Sequence, residues 1–448
     1  MVVFGMLIAV EGVVVTLLAV SFALMGLVSL LGRNRPDLRV RTPLAVGFVL
    51  RLIVIAGVSL TGIGSTLRGG DEVTFLDFAH QIVPLSWTST QWLPTAHKSY
   101  LQVLMFAAQI KLLGSSEGAM RITQVGISLA GVLLIAAAVY DIAGPGPARL
   151  TAWLLNLEIA SLFFNELLGK EALMELASGL VVFGGAKVWR HLEYKGLAIM
   201  GLGALIAVFT REYVGWFLVA GAVAMTAHAA LRQLGGRLRS IPIIYAIAGA
   251  IFLAVPVLLQ ASSSQSLQAN LQPSQDENAT STVGNGAENG NNLALEQVDY
   301  STRGAIITNL PQRMSDVLLK PYPWQVGDTG QMLGVLGSIV ALTSMFLLVR
   351  FAVICRGQIL RRAAPLIYPL FFMLIAYALS VGNAGTGFRY RTQLVTLIIS
   401  TTVVLRSVAL AKRTSTARTA RQTESERNRP TASSLSGGER HAGSLAAF

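Results

Sequence analysis

The chain has 448 residues, of which 53% are hydrophobic and 13% charged, with a mean hydropathy of +0.59. Soluble globular chains carry roughly 25% charged residues, so this composition excludes a water-soluble domain and describes an all-α polytopic membrane protein. The formal net charge of +12 would suggest nucleic acid in a soluble chain, but in a membrane chain the bases sort by loop, and no nucleic-acid partner is expected. The single cysteine, Cys355, rules out an intramolecular disulfide and a cysteine-based metal centre.

Taken in order, the first apolar run, Leu7 to Leu31, is long enough to cross a bilayer, which needs roughly 20 apolar residues. No base precedes it, and Arg33, Arg35, Arg39 and Arg41 follow it. This pattern places the N-terminus outside and the first loop in the cytoplasm. Residues 1–42 thus form an N-terminal helix with a basic loop. The second run, Pro43 to Gly64, carries Arg51, a charge that should face protein rather than lipid.

Residues 65–119 form a long external loop. Within it, Tyr100 to Leu113 is apolar but too short to span, and reads as an interfacial helix. Trp87 and Trp92 read as interfacial anchors, with sugar stacking as the alternative. Spans are then expected at Met120–Tyr140, Arg149–Leu168, Glu171–Trp189, Gly196–Phe209, Tyr213–Leu231 and Ile241–Leu259. A second external segment, 260–330, opens with a flexible Ser/Gln/Asn/Gly-rich stretch and regains packing character from Thr308 to Trp324. Gln331–Ile354, Ala364–Val381 and Thr392–Ala411 complete about eleven spans in a membrane domain of residues 43–411. Residues 412–448 read as a disordered cytoplasmic tail. In this orientation 22 of the 35 Lys and Arg residues fall inside, and both long loops fall outside.

The chemistry-bearing residues gather on that outer side. Asp71 and Glu72, in Arg68-Gly69-Gly70-Asp71-Glu72, open the first external loop, where adjacent carboxylates at a helix mouth suit a general base for an acceptor hydroxyl. Two plain Gly residues followed by Asp71 as a helix cap is the competing reading. Lys170, Arg211, Arg389 and Arg391 break the positive-inside preference at outer helix ends. Such cations suit a phosphate or pyrophosphate, Arg through bidentate contacts and Lys as a point charge. Lys170 and Arg211 each precede a Glu, so mutual neutralisation is the competing account. Glu158, Glu166 and Glu175 add carboxylates within or beside spans, open to ion pairing with Arg51 or Lys187.

Gly70-Asp71-Glu72, Tyr100 through Leu113-Gly114-Ser115 to Arg121, Lys170-Glu171, Thr210-Arg211-Glu212-Tyr213, Lys320-Pro321-Tyr322-Pro323-Trp324 and Gly387-Phe388-Arg389-Tyr390-Arg391 occur in this order on one side of the membrane. In that order the chain resembles the GT-C superfamily of membrane glycosyltransferases, in particular the bacterial relatives of protein O-mannosyltransferases and of the aminoarabinose transferase. The resemblance covers about Pro43 to Ala411. It implies transfer of a sugar from a polyprenyl-phosphate donor to an envelope glycan, lipid or protein acceptor at the outer face of the cytoplasmic membrane. Asp71 would activate the acceptor with Glu72 in support. Arg211, Arg389 and Arg391, with Lys170, would hold the donor phosphate. Whether a divalent metal sits between Asp71 and Glu72 is left open by the residues. The acidic loop follows the second span here, where the family usually has it after the first. Two other functions fit the same outer arginines and loops: a polymerase or ligase acting on undecaprenyl-pyrophosphate glycans, and a transporter or flippase of lipid-linked glycans.

Overall fold

The computed structural model describes residues 2–61, 70–96, 99–114, 116–234, 303–320, 322, 324, 329–381 and 384–427. Among them there is no strand. The helices are α1 (Val2–Gly32), α2 (Arg41–Thr61), α3 (Gly70–Ile82), α4 (Trp92–Ala96), α5 (Tyr100–Leu113), α6 (Glu117–Ala143), α7 (Pro145–Asn156) and α8 (Ile159–Phe164). They continue with α9 (Glu171–His191), α10 (Tyr194–Thr210), α11 (Glu212–Leu234), α12 (Arg303–Leu319), α13 (Thr329–Ile354), α14 (Ile359–Ser380) and α15 (Ala384–Arg427). Eight are long and apolar enough to cross a membrane: α1, α2, α6, α9, α11, α13, α14 and α15. This is a polytopic helical membrane protein.

The other three expected spans differ from the eight in separate ways. Residues 149–168 are not one helix, because the chain breaks between Asn156 and Ile159. There Glu158 turns its carboxylate back to accept the Ala160 N–H at 3.1 Å and the Ser161 N–H. A side chain thereby satisfies donors that an unbroken helix would satisfy itself. The second, α10, is apolar but only 17 residues long. The third, Ile241–Leu259, lies outside the described residues, as does the flexible stretch expected at its end.

Close packing of α6, α9 and α10 centres the bundle, and small residues make it possible. A Cβ on Gly131 would stand 2.7 Å from the Glu175 carbonyl group, and one on Gly179 would stand 2.7 Å from the Gly131 oxygen. Gly184 and Gly196 repeat this reciprocal contact between α9 and α10. Without a hydrophobic drive between helices in lipid, such backbone approach is a main source of association. Gly131→Val is therefore expected to cost more than about 2 kcal/mol, since the opposing atoms are backbone and cannot swing away. A melting temperature in mild detergent close to that of the unaltered protein would contradict this.

The helices α3 and α5 form a separate small core through Phe75, Ile82, Val103 and Phe106. α5 has the expected bounds, Tyr100–Leu113. Lys111 fastens the loop between α3 and α4 by donating to the carbonyls of Val83 (2.9 Å) and Leu85. Its ammonium lies 5.2 Å and 5.6 Å from the rings of Trp87 and Trp92, which stand 5.3 Å apart. At the opposite end of the bundle Arg35 pairs with Asp141, and the Trp189 indole donates to the Arg361 carbonyl at 3.1 Å.

α12 packs Val317 and Leu318 into the main core, in line with the packing expected from Thr308 onward. α15 runs past Lys412 to Arg427, so this part of the tail is helical rather than disordered. Propagating an established helix costs far less than starting one, and Thr414, Thr419 and Thr423 donate their hydroxyls to carbonyls one turn back. Residues 428–448 lie outside the described residues.

Candidate active site

The site is built on the turn from Asn165 to Lys170 that carries the chain from α8 into α9. Glu72, in the first turn of α3, is buried against this turn. Its Oε1 accepts the Leu168 N–H at 3.2 Å, and its Oε2 accepts from Arg121 Nη2 at 3.2 Å. Arg121 also donates to the Glu166 carbonyl at 3.3 Å, and Gln124 donates to the Gly169 carbonyl at 3.3 Å. The Lys170 ammonium stands 5.0 Å over the Phe75 ring. An acid, two donors on α6 and an aromatic ring on α3 together hold the turn in one position.

Immediately after the turn, the fully buried Glu171 receives two guanidinium groups. Arg211 Nη2 lies 2.7 Å from Glu171 Oε1, and Arg389 Nη2 lies 3.3 Å from the same oxygen. Arg211 comes from the junction of α10 and α11, and Arg389 from the first turns of α15, so three distant parts of the chain meet here. The Arg211 guanidinium also stacks 3.9 Å over the Tyr390 ring. Tyr390 lies 5.0 Å from Tyr377, whose hydroxyl donates to Gln393 Oε1 at 3.0 Å. Burial works against the Arg211 charge, but Tyr390 and Glu171 outweigh it and raise its pKa, so the group stays cationic. Arg211 Nη1 is buried and makes no hydrogen bond among the described residues.

Among the described residues, Arg121 meets Glu72 and Glu117, while Glu171 meets both Arg211 and Arg389, with Lys170 one residue away. Guanidinium groups held this close together suit an anionic ligand. Gly169 completes the geometry, because a methyl group there would collide with Glu171 Oε2 and Arg389 Nη2. Both obstacles are ends of side chains, so Gly169→Ala should leave the fold intact while pushing Arg389 off Glu171. Losing one charge-assisted hydrogen bond is worth about 1.5–3 kcal/mol, so affinity for an anionic ligand such as a phosphate ester should fall about ten- to a hundredfold. Unchanged affinity with unchanged melting would count against this.

The residues singled out in the sequence are thus only partly brought together. Arg211, Arg389, Lys170 and Glu72 share the site. Asp71 lies on the first turn of α3 beside Glu72, and its side chain is outside the described residues. Glu72 is engaged with Arg121 and Leu168, which makes it a positioning group for α3. Arg391 points elsewhere, since residues two apart on a helix project about 200° apart. It donates to the carbonyls of Leu318 (3.0 Å) and Lys320 (3.1 Å) and to Ser338 Oγ (2.9 Å), fastening α12 and α13 to α15. Among the described residues no three His, Cys, Asp or Glu side chains converge as a metal site.

Sequence reading missed two members. It treated Glu171 as a neutraliser of its neighbour Lys170, whereas its partners are Arg211 and Arg389. It named Arg121 only as the end of the stretch leading into the next span and gave it no role in the site, although a base at the first turn of an apolar helix was the signal. Beside the site, Arg51 reaches Glu166 Oε1 at 2.9 Å and Asn156 Oδ1 at 3.0 Å, with neither charged side chain exposed by more than 2%. The anomalous base in α2 does face protein, and one of the three acids considered for it is its partner. Lys187 pairs instead with Glu193 at 3.6 Å. No family model, curated protein or solved structure matches this chain.

Proposed function

We propose that the protein is a membrane glycosyltransferase that moves a sugar from a polyprenyl-phosphate donor to an envelope glycan, lipid or protein acceptor at the outer face of the cytoplasmic membrane. One observation carries the reading. Glu72 docks the acid-bearing first turn of α3 onto the turn that presents Lys170 and leads into the Arg211–Glu171–Arg389 cluster. This contact supports the reading because it brings the first turn of α3, far away in sequence, up to the turn that carries Lys170 and Glu171.

The step this supports is a displacement at the anomeric carbon. The acceptor oxygen forms the new C–O bond as the bond to the donor phosphate breaks, and the electron pair leaves with the phosphate oxygen. Asp71 takes the acceptor proton. Arg211 and Arg389, held in register by Glu171, stabilise the charge that grows on the leaving phosphate, with Lys170 adding a point charge. Glu72 sets the position of Asp71, and Arg391 sets the position of α15. The experiment is transfer of radiolabelled sugar from a polyprenyl-phosphate donor, comparing the unaltered protein with Asp71→Asn and Arg389→Ala. Loss of transfer by both folded variants supports the assignment. A product formed equally well by Asp71→Asn would move the reading to a polymerase or ligase that needs only the arginines.

A second reading has its own observation. The interrupted helix at Leu157–Glu158, beside the buried Arg51–Glu166 pair, is a feature that transporters place at mid-membrane. Uptake of a lipid-linked glycan into vesicles with no covalent product would favour a flippase.

A further inference from the structure

At the opposite end of the bundle from the candidate active site, α1 and α2 stand apart. They are consecutive helices that both touch α6, but α2 leans away onto α7 and α8 and makes little contact with α1. α1 lies on α6, where Val20 meets Gly126 so closely that a Cβ there would be 2.7 Å from Val20 Cγ1. α2 lies on α7, where Gly47 makes room for the Asn156 side chain. Between them remains a groove of about 480 Å³, a size typical of small-ligand sites.

The walls of this groove are apolar: Leu24, Met25 and Val28 on α1 face Leu44 and Phe48 on α2. Its mouth is polar, with Ser29 near the end of α1 and Arg41 at the first residue of α2. From Ser29 back to Ser21, at the far end, the groove runs about 12 Å along the helix axis. Arg41 is exposed, and so are Arg33 and Arg39 on the connecting turn. Arg35, the fourth base of that turn, is taken by Asp141.

From this arrangement we infer that the α1–α2 groove is a binding site for a phospholipid with an anionic headgroup. One acyl chain lies between the two apolar walls, and the headgroup phosphate sits against Arg41, with Arg33 and Arg39 supplying further positive charge. Three features single out this occupant. Few residues of α1 are fully buried along its span, and Met25 in the groove wall is exposed, so the groove opens on the side where a bilayer surrounds the helix. It runs along the helix axes, as a lipid tail does. The charge stands only at the end that a headgroup would occupy. A neutral lipid would gain nothing from that charge, and a soluble anion would gain nothing from the apolar walls.

The test is native mass spectrometry of the full chain in mild detergent, titrated in turn with phosphatidylglycerol and phosphatidylcholine. One phosphatidylglycerol is expected to be retained in clear preference. Arg41→Gln should weaken its retention about fivefold, the loss expected for one basic residue at an anionic lipid, and leave phosphatidylcholine unchanged. Ala45→Trp, which fills the groove from an exposed position on α2, should abolish retention without altering elution as a monodisperse species. If Ala45→Trp does not fold, Arg41→Gln alone decides, because it alters only an exposed side chain. Equal retention of the two lipids, retention unchanged by either variant, or a lipid-free dimer that Ala45→Trp dissociates would each overturn the inference. None of these outcomes bears on sugar transfer, because the groove lies at the other end of the bundle.

Discussion

Asp71→Asn is expected to lower sugar transfer by about 10²- to 10⁴-fold with little change in folding. This is the range for removing a general base, and an amide cannot take the acceptor proton. The geometry makes the comparison with Glu72 informative. Glu72 is spent on Arg121 and the Leu168 N–H, so Glu72→Gln keeps most of the shape of those contacts and loses only their charge. It should slow transfer less than Asp71→Asn and should lower the melting temperature more, because Arg121 is left as a buried, weakly answered charge. Equal rate losses with unchanged melting for both variants would mean that the two acids act as a chemical pair. A rate unchanged in Asp71→Asn would reduce Asp71 to a helix cap. The measurement is the rate at saturating donor and acceptor, taken alongside thermal unfolding of the same preparations.

How far the sequence led can be judged at particular residues. Hydropathy located the long helices because the need to hide backbone polar groups in lipid leaves few alternatives to a run of apolar residues. It missed the break after Asn156, because the run from Arg149 to Leu168 is apolar on average. The break is made by one carboxylate, Glu158, capping the two N–H groups that follow it. Charges out of place were the other legible signal. Arg51 within a span announced a protein partner, although the choice of Glu166 over Glu158 or Glu175 depends on how α2 sits against the turn after α8. Arg389 and Arg391 looked alike in sequence. The helical angle between them sends one to Glu171 and the other to the carbonyls of α12, and only the structure separates a ligand candidate from a strut.

Breaking the Arg51–Glu166 pair is expected to produce the largest stability loss, and it also separates the two functional readings. Arg51 lies ten residues into the 21-residue α2, about 15 Å from its start and near the middle of the helix. Both charges are buried, and Asn156 completes the Arg51 contacts. Arg51→Met removes the direct partner of Glu166, leaves only Arg121 nearby and should cost about 3 kcal/mol, whereas Arg51→Met with Glu166→Leu should cost much less than the sum of the single changes. Unfolding of the three variants in one detergent measures this coupling, and additive losses would show that the pair does not act as a unit. If the pair serves only to hold α2 against the turn that presents Lys170 and Glu171, the double variant should fold and keep most of its sugar transfer. If the charges at mid-bundle are part of a translocation path, the double variant should fold yet carry nothing across the membrane. A well-folded double variant therefore discriminates between an enzyme whose chemistry sits at the end of the bundle and a carrier whose path runs through its centre.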